Sequence, residues 1–293
     1  MARPRPTWSI RKRSPSAASV TIRLLAIDLD GTLVNHDLVM NPRDVAAVKA
    51  ASAAGVTVVL ATGRMFKSSL RFAEPLGLKG PIINYQGAIV RDIASGEVWY
   101  RCELTVPMQQ RVLALAEPKD WHVNVYIDER VYTARARPEA DLYARIGMVS
   151  YQVVGPLSKW VQKDSTKMVL VDLDPENVPA RITELTAWMG DIARVTRSLD
   201  WFVEVVNPQV SKAAALAMVA DRLGIGQAEV CAIGDNTNDE DMVRWAGFGV
   251  AMGNAPAALK NVAKHVTGTV DEAGVAQVIE RFVIGKEAPG TKG

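Results

Sequence analysis

An apolar run ends on two acids: Leu24-Leu25-Ala26-Ile27 leads directly into Asp28-Leu29-Asp30-Gly31-Thr32. Four consecutive apolar residues predict a strand buried on both faces. Asp28 and Asp30, two residues apart at its end, fall on one face. Gly31 then permits a sharp turn. Two neighbouring buried acids repel unless a cation or a shared proton offsets them. A fold keeps such a pair mainly at a working site. Taken alone, Asp-Gly-Thr also describes an ordinary surface turn.

Three further groups bear on that choice. Ala61-Thr62-Gly63-Arg64 follows a second apolar run, Val56-Thr57-Val58-Val59-Leu60. Ser211-Lys212 opens a helical pattern reaching about Leu223, and Gly234-Asp235-Asn236-Thr237-Asn238-Asp239 follows Val230-Cys231-Ala232-Ile233. Each group falls at a strand exit or a helix start, where open α/β sheets collect ligands. Together they supply carboxylates, a hydroxyl, an ammonium and free helix-start amides, the inventory for holding a divalent cation and a phosphoryl group.

In this order the four groups resemble the haloacid dehalogenase-like superfamily of phosphatases, and most closely its Cof-type subfamily with a large α/β cap. Ile83-Asn84-Tyr85-Gln86-Gly87-Ala88 is similar to that subfamily's Asn-Gly-Ala segment. Val250-Ala251-Met252-Gly253-Asn254-Ala255, Lys260, Val266-Thr267 and Gly274-Val275-Ala276 are similar to its C-terminal block. The resemblance spans about residues 21–285. It implies an α/β fold: a Rossmann-like parallel-sheet core with an inserted α+β cap domain. One departure lies at Gln209 and Ala213, where the family often has glycines.

The resemblance also implies roles. Asp28 would be the nucleophile that takes the phosphoryl group as an aspartyl-phosphate. Asp30 would protonate the leaving alcohol and then activate water. Mg²⁺ would be held by the carboxylates of Asp28 and Asp235 and the backbone carbonyl of Asp30. Thr62 and the Gly63 amide would hold phosphate oxygens, and Lys212 would neutralise developing charge. Asn238 would bond the phosphate or Lys212, and Asp239 would brace Lys212 or a metal-bound water. Arg64 is left between a substrate contact and a salt bridge from core to cap. Thr62 also reads as a simple helix cap. The implied substrate is a small phosphorylated metabolite such as a sugar phosphate, with phosphorylated intermediates of cofactor synthesis also open. A phosphomutase and a non-catalytic binding protein on the same fold are the alternatives.

Organisation along the chain agrees with an insertion. Residues 24–89 alternate strand and helix in a βαβ grammar, hence a parallel sheet. Asn41-Pro42 caps a helix running to Ala54, and Gly55 follows it. Asp92 to Glu97 reads as a hairpin turn. Residues 103–206 differ. Helical patterns at Met108–Leu115, Pro138–Ile146 and Pro175–Met189 alternate with strands at Val123–Ile127, Met168–Leu173 and Trp201–Val206. The expected division is a leader 1–20, core 21–102, cap 103–206, core 207–285 ending in a helix around Val275–Phe282, and a tail 286–293.

Composition excludes several classes. Net charge is +2, with five cations and no acid in residues 1–20. The remainder therefore carries −3, so no nucleic-acid partner is expected for it. The proline-containing leader reads as disordered or as a mis-called start. No apolar run approaches membrane-span length. Cys102 and Cys231 lie far apart at no metal spacing, which points to a reducing, cytoplasmic setting. His36, His122 and His265 have no ligand-spaced partners and read as structural or exposed. A monomer or homodimer is expected.

Overall fold

The protein is described here by a computed structural model covering residues 21–147 and 149–285. The expectations for the leader and the tail fall outside the described residues. The chain begins with β1 (Leu24–Ile27), α1 (Pro42–Ala53), β2 (Thr57–Leu60), α2 (Phe66–Leu76), β3 (Pro81–Asn84), β4 (Ile89–Asp92) and β5 (Val98–Arg101). It continues with α3 (Val106–Ala116), β6 (His122–Ile127), β7 (Arg130–Thr133), α4 (Pro138–Gly147), β8 (Tyr151–Val153), α5 (Leu157–Trp160), β9 (Lys167–Val171), α6 (Val178–Met189), β10 (Arg194–Leu199) and β11 (Phe202–Val206). It closes with α7 (Lys212–Arg222), β12 (Val230–Gly234), α8 (Glu240–Trp245), β13 (Phe248–Ala251), α9 (Ala257–Val262), β14 (His265–Val266) and α10 (Gly274–Val278).

As the apolar run predicts, β1 is fully buried, and it lies inside a five-stranded parallel sheet ordered β14-β13-β12-β1-β2. Its alternating side chains serve two cores. Leu25 and Ile27 pack with Val48 of α1 and Val275 of α10. Leu24 and Ala26 face Ala215, Leu216 and Val219 of α7. Each buried Leu or Ile contributes about 2 kcal/mol relative to exposure. A parallel bridge between Ala61 and Ile83 joins β3 to this sheet, and β3-β4-β5 then continue as an antiparallel meander.

The insertion forms a six-stranded sheet ordered β10-β11-β9-β6-β7-β8, antiparallel except for the β7–β8 pair. Val123, Val125, Met168, Leu170, Val203 and Val205 turn toward α3 and α6. The opposite face, with Tyr126, Val169, Phe202 and Val206, packs on Tyr143 of α4 and on Met65, Tyr85 and Ile89 of the core.

Sequence periodicity found three of these six strands. β7 and β8 are only four and three residues long, and β10 is polar along most of its length. Such strands carry too little apolar alternation to be recognised alone. The Pro175–Met189 pattern divides into a 3-10 turn and α6, and the last pattern into α10 and a π-turn at Ile279–Val283. Asn41 caps α1 as expected, its side chain accepting from Arg43 N at 3.0 Å.

Asp44 ties α1 to α10. It is fully buried, and Oδ1 accepts from the Ala276 amide at 2.7 Å. Oδ2 has no partner among the described residues. Burial pushes this carboxyl up from 3.8 to about 6, against the lowering effect of the Ala276 bond. The folded chain therefore keeps a proton that the unfolded chain has released, and stability falls as pH rises from 3.8 to about 6. Asp44→Asn retains an acceptor and removes the charge. It should raise the melting temperature at pH 7.5 and have far less effect at pH 4.5. An equal shift at both pH values would show that charge is not the cause.

Candidate active site

The motifs meet at the carboxyl edge of the parallel sheet, the position expected for a ligand site in such folds. Asp28 leaves β1, Thr62 to Arg64 leave β2, Asp235 leaves β12 and Lys212 begins α7. Carboxylate oxygens of Asp28, Asp235 and Asp239 all lie within 4.8 Å of one another. Lys212 Nζ donates to Asp28 Oδ1 at 2.5 Å and to Asp239 Oδ1 at 2.6 Å. The lysine side chain is 1% exposed.

Local structure explains the convergence. The Asp28 amide donates to Ile233 O at 2.9 Å, continuing the pairing between the β1 and β12 ends. Gly31 has φ +86, and a Cβ there would sit 2.3 Å from Asp235 Oδ2. Only glycine lets the turn approach the acid so closely. Thr32 donates to Asp235 Oδ1 at 2.9 Å. Asp239 turns back on its own loop, with Oδ2 accepting from the amides of Asp235 and Asn236 at 3.0 and 3.1 Å. Ser211 caps α7, accepting from Ala214 N at 3.0 Å and so setting Lys212 at the first helical position.

One lysine facing three acids leaves an excess of negative charge. Burial, then the nearby Asp239 and Asp235, hold the Asp28 carboxyl well above its ordinary range despite Lys212. Burial and Asp239 push Asp235 up to about 6. For Lys212, burial works against the charge, but Asp239 and Asp28 outweigh it and raise the ammonium above its usual value. A hard divalent cation would relieve the imbalance, and the all-oxygen donor set fits Mg²⁺.

Other expected residues hold different partners from those anticipated. Among the described residues the salt-bridge partner of Arg64 is Asp30 of the same core, not a residue of the cap. Arg64 Nε and Nη2 grip Asp30 at 2.8 and 2.5 Å. That fork-on-carboxylate geometry is the strong form of the pair. The Asp30 side chain is 48% exposed. Thr62 is buried but does not cap α2, which starts at Phe66; its hydroxyl accepts from Arg64 N at 3.1 Å. Asn238 bonds Gln86 Oε1 at 3.0 Å and not Lys212. Asp239 does brace Lys212, and it also offers an oxygen to the acid cluster. Gly63 adjoins Gln86, whose amide nitrogen would be 2.5 Å from a Cβ there.

Gln86 is a site residue that sequence reasoning missed. Tyr85 and Gln86 take φ +51 and +60, and Gly87 takes +99. A Cβ at Gly87 would lie 2.3 Å from Ser211 O, so the turn rests directly on the start of α7. Close backbone approach to the start of α7 thus depends on Gly87. Asn254 lies beside the acid cluster, donating to Gly31 O at 2.9 Å and approaching Asp235 Oδ2 at 3.4 Å. Above the core residues Lys212, Asn238 and Gln86 lies a cavity of about 460 Å³, walled on its far side by Arg194, Thr196 and Glu204 of the six-stranded sheet.

Known proteins resemble this chain in sequence and fold. A sequence profile for haloacid dehalogenase-like hydrolases matches residues 25–279. YxeH of Bacillus subtilis (strain 168) is 34% identical over 275 residues, covering 90% of this chain and 99% of the relative. The 5-amino-6-(5-phospho-D-ribitylamino)uracil phosphatase YitU of the same organism is 29% identical over 269 residues, covering 88% and 97%. The crystal structure of a haloacid dehalogenase-like hydrolase from Bacteroides thetaiotaomicron superposes with a TM-score of 0.81 at 28% identity, covering 89% of this chain and 99% of that one. The chain belongs to the haloacid dehalogenase-like hydrolase family.

Proposed function

We propose that the protein is a Mg²⁺-dependent phosphatase of small phosphorylated metabolites, working through an aspartyl-phosphate. One observation carries this reading: a buried carboxylate at the exit of β1, Asp28, held by a buried lysine beside two more acids. Relatives named as phosphatases, YitU among them, support it. The division into core 21–102 and 207–285 with cap 103–206 is part of the proposal, as is a cytoplasmic location. Among the described residues no helix is long and apolar enough to cross a membrane.

In this mechanism Asp28 attacks phosphorus as the bond to the leaving oxygen breaks. Asp30 gives a proton to that oxygen and then takes one from the water that clears the intermediate. Arg64 orients Asp30 through its two-pronged grip. Lys212 offsets charge developing on the phosphoryl oxygens, while Thr62, the Gly63 amide and Asn238 hold them. Asp28, Asp235 and the Asp30 carbonyl would hold Mg²⁺, which when bound supplies the positive charge that lets an anionic ester approach an anionic nucleophile.

Hydrolysis of p-nitrophenyl phosphate and a panel of phosphorylated metabolites tests the reading. Asp28→Asn should lower kcat by at least ~10³-fold with the fold intact, and near-normal turnover would remove Asp28 from the nucleophile's role. Asp30→Asn should cost more with poor leaving groups than with p-nitrophenol, because only the former need the proton. EDTA should silence the enzyme and Mg²⁺ restore it, with Ca²⁺ a poor substitute owing to its looser shell. Full activity after exhaustive chelation would overturn the metal requirement. Lys212→Met should abolish turnover and lower unfolding free energy by about 3 kcal/mol, since it strands buried carboxylates; denaturant titration reads that loss.

A further inference from the structure

The turn after β3 carries a side chain whose chemistry the mechanism leaves half used. Gln86 has φ +60, in the left-handed region that non-glycine residues seldom adopt. Its neighbours hold it there. The Gln86 amide donates to Thr62 O at 3.0 Å, and the Tyr85 amide donates to Arg64 O at 3.2 Å. On the other side Gly87 rests on Ser211. The turn is therefore fixed between the Thr62–Arg64 loop and the start of α7. Backbone strain of this kind collects at working sites.

The side chain reaches a third element of the site. Gln86 Oε1 accepts from Asn238 Nδ2 at 3.0 Å. With the carbonyl end taken, the NH₂ end remains, and it stands against Gly63, 2.5 Å from where a Cβ would be. Nε2 offers two N–H groups. It has no hydrogen-bond partner among the described residues. Nor is it one of the sealed, unpartnered side-chain atoms among them. Gln86 lines the cavity together with Lys212 and Asn238. Its donor is therefore available to a ligand there.

The phosphoryl group needs such a donor. It spreads charge over three oxygens. Lys212 already gives two of its three N–H bonds to Asp28 and Asp239. Asn238 spends one N–H on Gln86 and keeps the other. A neutral amide adds a donor without changing the charge of the acid cluster.

We propose that Gln86 is a further phosphate-binding residue, donating from Nε2 to a phosphoryl oxygen beside the Gly63 amide while Oε1 positions Asn238. This inference rests on the phosphatase reading above.

The test uses the full-length protein with Mg²⁺ and two readouts: calorimetric titration with inorganic phosphate, and hydrolysis of p-nitrophenyl phosphate. Gln86→Gly removes the amide and suits the positive φ. Its melting temperature should hold or rise, while phosphate binding weakens about tenfold and kcat/KM falls similarly. Gln86→Glu keeps an acceptor for Asn238 but puts a negative charge in place of the donor, and should weaken binding further. In an Asn238→Ala background, Gln86→Gly should still cost about tenfold, because the contact does not run through Asn238. Unchanged phosphate affinity in either folded single variant overturns the role of Gln86 and leaves the phosphatase reading standing. A loss that disappears in the Asn238→Ala background overturns the direct contact and leaves Gln86 a support for Asn238. A wild type that hydrolyses no phosphate ester overturns both readings.

Discussion

A single ammonium shared by two buried carboxylates governs this structure. Lys212 bridges Asp28 and Asp239 with Asp235 close by. A buried lysine is tolerable only with partners, and buried acids only with a cation. The first turn of α7 must therefore come to the exit of β1. The composition of α7, Lys-Ala-Ala-Ala-Leu-Ala-Met-Val-Ala-Asp-Arg, suits that approach. Its small residues let the helix lie close against Leu24 and Ala26, while Gly87 lets the neighbouring turn rest on Ser211. The charge remains unbalanced even so. The raised proton affinities of Asp28 and Asp235 express the same excess that a divalent cation would neutralise.

Much of this was legible because chemistry and secondary structure coincide in the sequence. β1 is a run of four apolar residues, and its acids follow at once. Lys212 follows a good cap residue, and Asp235 follows another apolar strand. Such residues announce themselves by type and by distance from a strand end. What depended on a partner far along the chain did not. Arg64 and Asp30 meet across 34 residues and Asn238 and Gln86 across 152, with no periodic signal linking either pair. Asp44 stands out as a lone acid among alanines and valines in α1, but its meaning comes from Ala276, 232 residues away. Glu204 shows the same difficulty inside the insertion. An acid amid Phe and Val was visible, yet its buried pairing with Lys167 requires the register of β9 against β11, and the neighbouring β10 is too polar to be recognised as a strand.

The two sheets meet at a pair of strained turns, and this contact relates the two walls of the cavity. Tyr85 and Gln86 have positive φ, as do Asp128 and Glu129 in the β6–β7 turn. Each such residue costs on the order of 1 kcal/mol or more and persists only where its surroundings over-determine it. Here they do. Tyr85 is 1% exposed and packs edge-on against Tyr126, which packs edge-on against Tyr143. The Tyr85 hydroxyl donates to Glu129 Oε1 at 2.9 Å, joining one strained turn to the other. The Lys67 amide, near the start of α2, approaches Glu129 Oε2 at 3.4 Å, and no side chain of the helix itself caps that end. Glycine at positions 85, 86 and 129 would relieve the strain. It would also delete the hydroxyl that reaches across, the carboxylate that receives it and the Gln86 amide that holds Asn238. The strain is retained because the same turn that carries Gln86 into the site carries Tyr85 to the opposing sheet, so the two walls of the cavity share one support.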